Sequence, residues 1–422
     1  MSVELSLALL GGWTLLVAGF GAWRYRTPLN PLTLFACSAI GIFTLGSGAV
    51  VAFLLPGRFP ASALSLAAIV SMLYLAGVLL PYLFRGPLPA QLFGKFLSVL
   101  GLTSQRLATR FSFIRFFLLL LGAVAALFLV AVIGGGGSFW LTHPRWAYQE
   151  FRAGVGPFWL MAQWFLVFAW MYYLWSRRPR ALETGLVLGL LCFLAYFTGS
   201  KNNILILGVV AVVYYNFLVK PIRPVVLAGL AVGGLAAIMA LLVLQGSYAD
   251  LVIALSYFDY FGTTAHFFSR FDEFGYQYGR VWLSSFWFFV PRGLYPDKPY
   301  EYGATLIHAA LFPGAAEAGH TPGFLAWTPT YLDFGVVGVF ALGALQGFWQ
   351  RMAYEHFFRS PSFFSFFFMI HLSLWPVMAY APLTLALVWS VAQALLFRMV
   401  WRKIPVRDAL PWPTEQPSPV AR

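Results

Sequence analysis

Residues 113–133 read FIRFFLLLLGAVAALFLVAVI, an apolar run broken by one charge, Arg115. A helix of this length rises about 30 Å, which matches the hydrocarbon core of a bilayer. The whole chain has the same character: 60% of its 422 residues are hydrophobic, 10% are charged, and the mean hydropathy is +0.78. Soluble domains carry charge on about a quarter of their residues. The sequence therefore predicts a polytopic membrane protein.

Other stretches of the chain are also apolar over about 17 to 25 residues, the length that a transmembrane helix needs. Together they predict about 11 transmembrane helices, at 4–22, 32–55, 62–84, 113–133, 155–176, 182–199, 202–219, 223–244, 328–350, 362–380 and 381–400. Residues 1–244 hold the first eight helices and 328–404 the last three. Between them, 245–327 forms one large external loop, and 405–422 is expected to be a disordered cytoplasmic tail. The fold class is therefore expected to be all-α.

The positions of the basic residues predict the orientation, because Lys and Arg collect in inner loops. With the N-terminus outside, 19 of the 27 Lys and Arg and 4 of the 14 acids lie inside. The inner face then carries a net charge of +15 and the outer face −2. The net charge of +13 thus reflects topology and contact with the anionic lipids of the bilayer. It gives no reason to expect a nucleic-acid partner.

The external loop 245–327 is too long to be a plain connector, since structureless loops beyond about 12 to 15 residues are uncommon. Its many aromatic residues predict a folded cap instead. The loop also holds four of the eight external cations, Arg270, Arg280, Arg292 and Lys298. Guanidinium groups pair bidentately with phosphate oxygens and lysine supplies a point charge, so these residues could bind a diphosphate. Salt bridges to neighbouring acids are the alternative for any one of them.

Further residues of the external segments could complete such a site. His320, Asp272 and Asp333 are the candidate general bases, since a histidine titrates near neutral pH and burial can raise the pKa of a carboxylate. The candidate ligand-binding residues beyond the four cations are Lys201, Arg145, Tyr300 and Tyr331. Lys201 begins a helix, where backbone amides favour anions, although a lysine at that depth also reaches the interface by snorkelling. No P-loop, Cys-x-x-Cys or His-x-x-x-His motif occurs, so neither a metal nor another cofactor is expected.

Three segments resemble the Wzy-type polymerases that join oligosaccharide repeat units of bacterial surface polysaccharides. They are Gly199-Ser200-Lys201, the run from Pro291 to Pro299 (PRGLYPDKP), and the run from Tyr331 to Gly338 (YLDFGVVG). The resemblance spans roughly residues 195 to 345. It implies a GT-C-like fold in the bacterial inner membrane, with the N-terminus periplasmic and the C-terminus cytoplasmic.

The resemblance also implies a reaction. The growing glycan would move from undecaprenyl diphosphate to the non-reducing end of a new undecaprenyl-diphosphate-linked repeat unit, without nucleotide or metal. Arg280, Arg292 and Lys298 would hold the donor diphosphate, with Arg270 and Lys201 assisting. Such an enzyme would work beside a flippase and a chain-length regulator.

Two other functions remain open from the sequence. An O-antigen ligase or a related lipid-linked glycan transferase would share the fold and the donor. A non-enzymatic flippase or transporter would place ionisable groups near the middle of several helices, and only His371 is clearly so placed.

Overall fold

The computed structural model describes residues 2–84, 86, 88–103, 111–151, 155–177, 179–244, 259–290, 294–313, 323–374 and 383–400. These residues form helices and no strand, as expected for an all-α multi-pass membrane protein. The first half of the chain contains α1 Val3–Tyr25, α2 Pro31–Leu54, α3 Ala61–Leu83, α4 Leu88–Val99, α5 Phe113–Ile133, α6 Phe139–Thr142, α7 Pro144–Glu150, α8 Gly156–Arg177 and α9 Ala181–Tyr196. The second half contains α10 Lys201–Tyr214, α11 Pro224–Leu244, α12 Tyr260–Ser269, α13 Phe271–Phe274, α14 Arg280–Ser284, α15 Thr305–Leu311, α16 Thr328–Arg359, α17 Phe363–Phe368 and α18 Leu383–Val400.

Within the described residues, 6 helices are long and apolar enough to cross a membrane: α1, α2, α3, α5, α8 and α16. They coincide with six of the predicted spans, and α16 continues nine residues beyond the predicted end at 350. The other five predicted spans overlap with α9, α10, α11, α17 and α18, of which α17 covers only residues 363–368 of the predicted 362–380. The multi-pass architecture is thus confirmed, whereas the total of 11 spans and the GT-C-like arrangement stay predictions.

Helices α3 and α16 pack against each other through glycines. A Cβ atom added to Gly343 would meet the backbone of Tyr74, Val78 and Gly77, and one added to Gly347 would meet the backbone of Val78. Small residues let two backbones approach within a membrane, where van der Waals packing drives helix association. The glycines therefore set the distance between α3 and α16, the helix that carries the candidate site described below.

This packing predicts that Gly343→Ala destabilises the protein. The new methyl group overlaps backbone atoms that cannot rotate away, so we expect the free energy of unfolding to fall by about 1–3 kcal/mol. Gly189→Ala in α9 is the matched control, because nothing lies within 4 Å of its added Cβ. Thermal unfolding of both variants in the same detergent is the measurement. Equal melting temperatures would show that the α3–α16 contact does not depend on Gly343.

One end of the helix bundle is covered by α12 and the segments that follow it, and we call it the cap end. The backbone N–H of Phe261 donates to Ser47 Oγ at 3.1 Å, and the hydroxyl oxygens of Thr264 and Thr328 lie 3.0 Å apart. Arg58 Nη1 lies 3.5 Å from Asp259 Oδ2. These contacts attach the segment after residue 258 to α2, to the connection between α2 and α3, and to the first residue of α16.

The opposite end, which we call the base end, contains a buried ion pair. Arg351 Nε donates to Glu355 Oε1 at 2.7 Å, and the hydroxyl of Tyr25 donates to the same oxygen at 3.0 Å. The amphipathic helix α4 also packs here, with Phe93 buried and its ring centroid 6.4 Å from that of Trp349. A charged group among apolar helices requires a partner; here the two charges pair within α16, and α1 adds the hydroxyl of Tyr25.

Candidate binding groove

The helix α16 is interrupted near its cap end by Gly335, which has φ 62° and ψ −155°. Side chains larger than hydrogen are strained in that region of backbone space, so the position favours glycine. The ring of Tyr276 lies over the gap, and a Cβ atom on Gly335 would sit 3.2 Å from Tyr276 Cε1. The kink therefore leaves a gap in the surface of α16, and Tyr276 of the cap covers this gap.

Asp333 ties the kink to the start of α14. Its side chain is buried, and its two oxygens accept hydrogen bonds from the backbone N–H groups of Val281 at 3.0 Å and Trp282 at 2.7 Å. The first N–H groups of a helix have no partner within that helix, so a carboxylate there satisfies them. The backbone N–H of Gln277 also donates to the carbonyl of Leu332 at 2.9 Å. Asp333 thus positions the residue that begins α14, Arg280.

The turn before α14 has an unusual backbone. Three of its five residues have positive φ: Gly275 at 58°, Tyr278 at 49° and Gly279 at 94°. A bulky residue such as tyrosine rarely adopts this conformation, and strained backbone concentrates at functional sites. This backbone conformation sets the direction in which the side chain of Tyr278 leaves the turn. Tyr278 is 84% exposed.

A groove of 820 Å³ runs from this turn along α16. Its rim is formed by three aromatic residues of the cap, Tyr276, Tyr278 and Trp282, together with Thr330 and Asp333. Below the rim its walls come from α16 alone and contain no charged residue: Phe334, Gly335, Val336, Val337, Gly338, Ala341, Leu342 and Leu345. The groove therefore has an aromatic, polar mouth at the cap end and an apolar floor along a membrane-spanning helix.

Arg280 is not among the residues that line the groove, but it begins α14 two residues before Trp282, which does line it. Its side chain is exposed, and its guanidinium makes no ion pair and no hydrogen bond with any residue that the structure describes. Its backbone N–H donates to the carbonyl of Gln277 at 3.0 Å, which fixes where the side chain begins. Arg280 is thus a cation available to a ligand at the groove mouth.

Two other predicted cations of the cap, Arg270 and Lys298, have partners within the protein. Arg270 Nε donates to Glu273 Oε1 at 2.7 Å, and this hydrogen bond lowers the pKa of the Glu273 carboxyl. The side chain of Lys298 is buried, its amino group donates to the carbonyl of Val290 at 3.0 Å, and Nζ lies 4.6 Å from the centroid of the Tyr302 ring. For both residues the geometry gives a structural contact, and ligand binding by them stays a prediction.

Three candidate site residues of the cap end can be located, and two cannot. Asp272 is exposed, Tyr300 is 85% exposed, and Tyr331 is buried with its ring centroid 4.8 Å from that of Phe268. Arg292 and His320 lie outside the described residues. The roles proposed for these five residues stay predictions.

Two further candidates, Arg145 and Lys201, lie on neighbouring segments. A Cβ atom added to Gly199 would meet the carbonyl of Pro144, so the first turn of α7 lies directly against the residues that lead into α10. Arg145 Cζ is 5.8 Å from the centroid of the Tyr148 ring. The fold thus brings the backbones of the Arg145 and Lys201 segments together, although neither residue lines the groove.

The groove itself was not predicted from the sequence. Tyr276, Tyr278 and Trp282 stand among many aromatic residues of the loop, and nothing in the spacing separates them from packing residues. The one available signal is the pattern Gly-Tyr-Gln-Tyr-Gly at 275–279, since paired glycines favour turns with positive φ. His371, the ionisable residue near the middle of a predicted helix, has Nδ1 2.9 Å from the carbonyl oxygen of Phe367.

Comparison with known proteins adds nothing to this geometry: no family model, no curated protein and no solved structure matches the chain. Among the described residues, no three His, Cys, Asp or Glu side chains are grouped so that they could hold a metal ion.

Proposed function

We propose that the protein is a polymerase of lipid-linked oligosaccharide repeat units, acting at the outer face of a bacterial inner membrane. One observation carries the proposal: Arg280, an exposed arginine without a partner among the described residues, begins α14 two residues before Trp282, which lies at the aromatic mouth of an apolar groove on α16. A ligand that fits has an anionic head and an apolar tail that stays in the bilayer. A glycan carried on a prenyl diphosphate has both parts.

The aromatic rim supports the proposal that the ligand carries a glycan in addition to its anionic head and its apolar tail. Tyr276, Tyr278 and Trp282 present ring faces and edges at the point where the head of a lipid would leave the groove. Such rings carry an apolar face and a polar edge or group, a combination that suits a surface between water and lipid. The resemblance to the Wzy-type polymerases points to the same class of substrate.

In the proposed reaction, a hydroxyl oxygen of the acceptor repeat unit forms a bond to the anomeric carbon of the donor glycan. The bond between that carbon and the diphosphate oxygen breaks, and undecaprenyl diphosphate leaves with the bonding electrons. Arg280 stabilises the negative charge that develops on the departing diphosphate. The acceptor proton passes to a base, for which Asp272 or His320 remain the candidates, because both oxygens of Asp333 already accept backbone hydrogen bonds.

The direct test is to incubate the purified protein in detergent with the lipid-linked repeat units of its host and to separate the products on a gel. We expect a ladder spaced by one repeat unit, formed without ATP. Lipid A core offered as a second acceptor separates the polymerase from an O-antigen ligase. Unchanged repeat units, from protein shown to be folded, would contradict both enzymatic functions and favour a transporter.

A further inference from the structure

The groove extends over a limited depth of the membrane. From Gly335 at the kink to Leu345, its last lining residue, α16 runs for ten residues. Ten helical residues rise about 15 Å, which is half of the roughly 30 Å hydrocarbon core of a bilayer. A tail seated along α16 is therefore contacted over about half of the thickness of the hydrocarbon core.

The depth of the groove limits how much of a prenyl tail it can contact. An extended isoprene unit adds about 5 Å, so three units match the roughly 15 Å that ten residues of α16 rise. An undecaprenyl tail, with eleven units, is far longer than the groove. The groove therefore contacts about three units of such a tail.

We infer that the groove recognises a prenyl diphosphate through its head and about its first three isoprene units, and leaves the rest of the tail to the bilayer. This inference rests on the proposed function, since it concerns the carrier lipid of the same site. It adds that the enzyme selects the proximal part of the carrier and not its full length. The floor suits a chain with methyl branches, because Gly338 and Ala341 present little side chain there.

A series of prenyl diphosphates without sugar tests the inference. Binding of dimethylallyl, geranyl, farnesyl, geranylgeranyl and undecaprenyl diphosphate is measured by calorimetry in detergent, with concentrations expressed per micelle. We expect affinity to rise by about tenfold with each added unit up to farnesyl, since contacts in an apolar site discriminate on this scale. From farnesyl to undecaprenyl the affinity should change by about twofold or less.

A variant that narrows the groove gives a second readout. Ala341 lies six residues below Gly335, about 9 Å deeper along the helix, so Ala341→Trp obstructs the lower groove. We expect this variant to bind farnesyl diphosphate about tenfold more weakly than the unmodified protein does. Its affinity for dimethylallyl diphosphate should change by about twofold or less. Ala125→Trp is the matched control, because Ala125 is an exposed alanine of the spanning helix α5, outside the groove.

The outcomes separate the inference from the proposed function. Affinity that keeps rising from farnesyl to undecaprenyl, but still depends on Arg280, would overturn the inference and leave the function standing. Binding that is unchanged in Arg280→Ala, or no binding by any prenyl diphosphate, would overturn both. Competition by phosphatidylglycerol equal to that by farnesyl diphosphate would show that the groove holds ordinary phospholipid, and would also overturn the inference.

Discussion

Arg280→Ala is expected to lower the turnover number of polymer formation by about 10²–10³, with little effect on the amount of folded protein in the membrane. A donor aimed at developing charge contributes about 2.7–4 kcal/mol to the rate once the bound substrate excludes water from it. Arg280 is exposed and without a partner in the described part of the chain. Its removal therefore leaves no buried acid without a partner. We expect the turnover number to fall and the stability of the protein to stay the same. Initial rates of ladder formation at saturating repeat unit are the measurement.

Two further variants show whether the loss at Arg280 is specific. Arg280→Lys keeps the charge but loses the fork of N–H donors, so we expect it to recover part of the activity. Arg359→Ala removes an exposed arginine from the far end of α16 and should leave the rate unchanged. If Arg280→Ala and Arg359→Ala had the same rate in protein of the same melting temperature, Arg280 would not be the cation that binds the diphosphate.

The sequence predicts the membrane spans well because their signal is local. Each span of sufficient length carries its own run of apolar residues, as in α5, and the ends of α1 and α3 were predicted to within about three residues. The cap is different, since its contacts join distant residues. Asp333 accepts from Val281 and Trp282, about fifty residues earlier in the chain.

The candidate site shows why charge alone is a weak guide. Arg270, Arg280 and Lys298 look equivalent in the sequence, as basic residues with acids nearby. In the structure Arg270 pairs with Glu273 and Lys298 points into the cap, whereas Arg280 has no such contact. The difference depends on side-chain direction, which follows from the turn at 275–279 and from the capping of α14 by Asp333. Neither can be read from a list of charges.

Asp333 and Gly335 connect the fold to the proposed chemistry. Asp333 fixes the start of α14 and hence Arg280, and Gly335 provides the break in α16 over which Tyr276 lies. Asp333 and Gly335 are two residues apart on one helix, so the start of α14, with Arg280, and the upper end of the groove are held at a fixed separation. A ligand with a charged head directly joined to an apolar tail requires such a relation.

Replacing Arg351 with methionine is expected to lower the free energy of unfolding by about 3–5 kcal/mol. The guanidinium donates to Glu355 and to three backbone carbonyls, of Pro81 at 2.6 Å, Phe84 at 3.0 Å and Gly86 at 2.9 Å. These carbonyls lie at the end of α3 and just beyond it, where no N–H of the same helix reaches them. The substitution therefore leaves the buried carboxylate of Glu355 without its cation, and the carbonyls of Pro81 and Gly86 without their guanidinium donor. Thermal unfolding in detergent, together with the yield of monodisperse protein, measures the effect.

The double variant Arg351→Met with Glu355→Gln shows how much of this cost comes from the unpaired charge. Removing one partner of a buried ion pair costs more than removing both, because no isolated charge is then left in an apolar environment. We expect the double variant to recover part of the stability lost in Arg351→Met, and the uncapped carbonyls to account for the remainder. Glu355→Gln alone should be milder than Arg351→Met, since Arg351 keeps its three carbonyl acceptors. A double variant less stable than Arg351→Met would contradict this account and would mean that Glu355 stabilises the fold through Tyr25, whose hydroxyl lies 3.0 Å from Oε1, independently of Arg351.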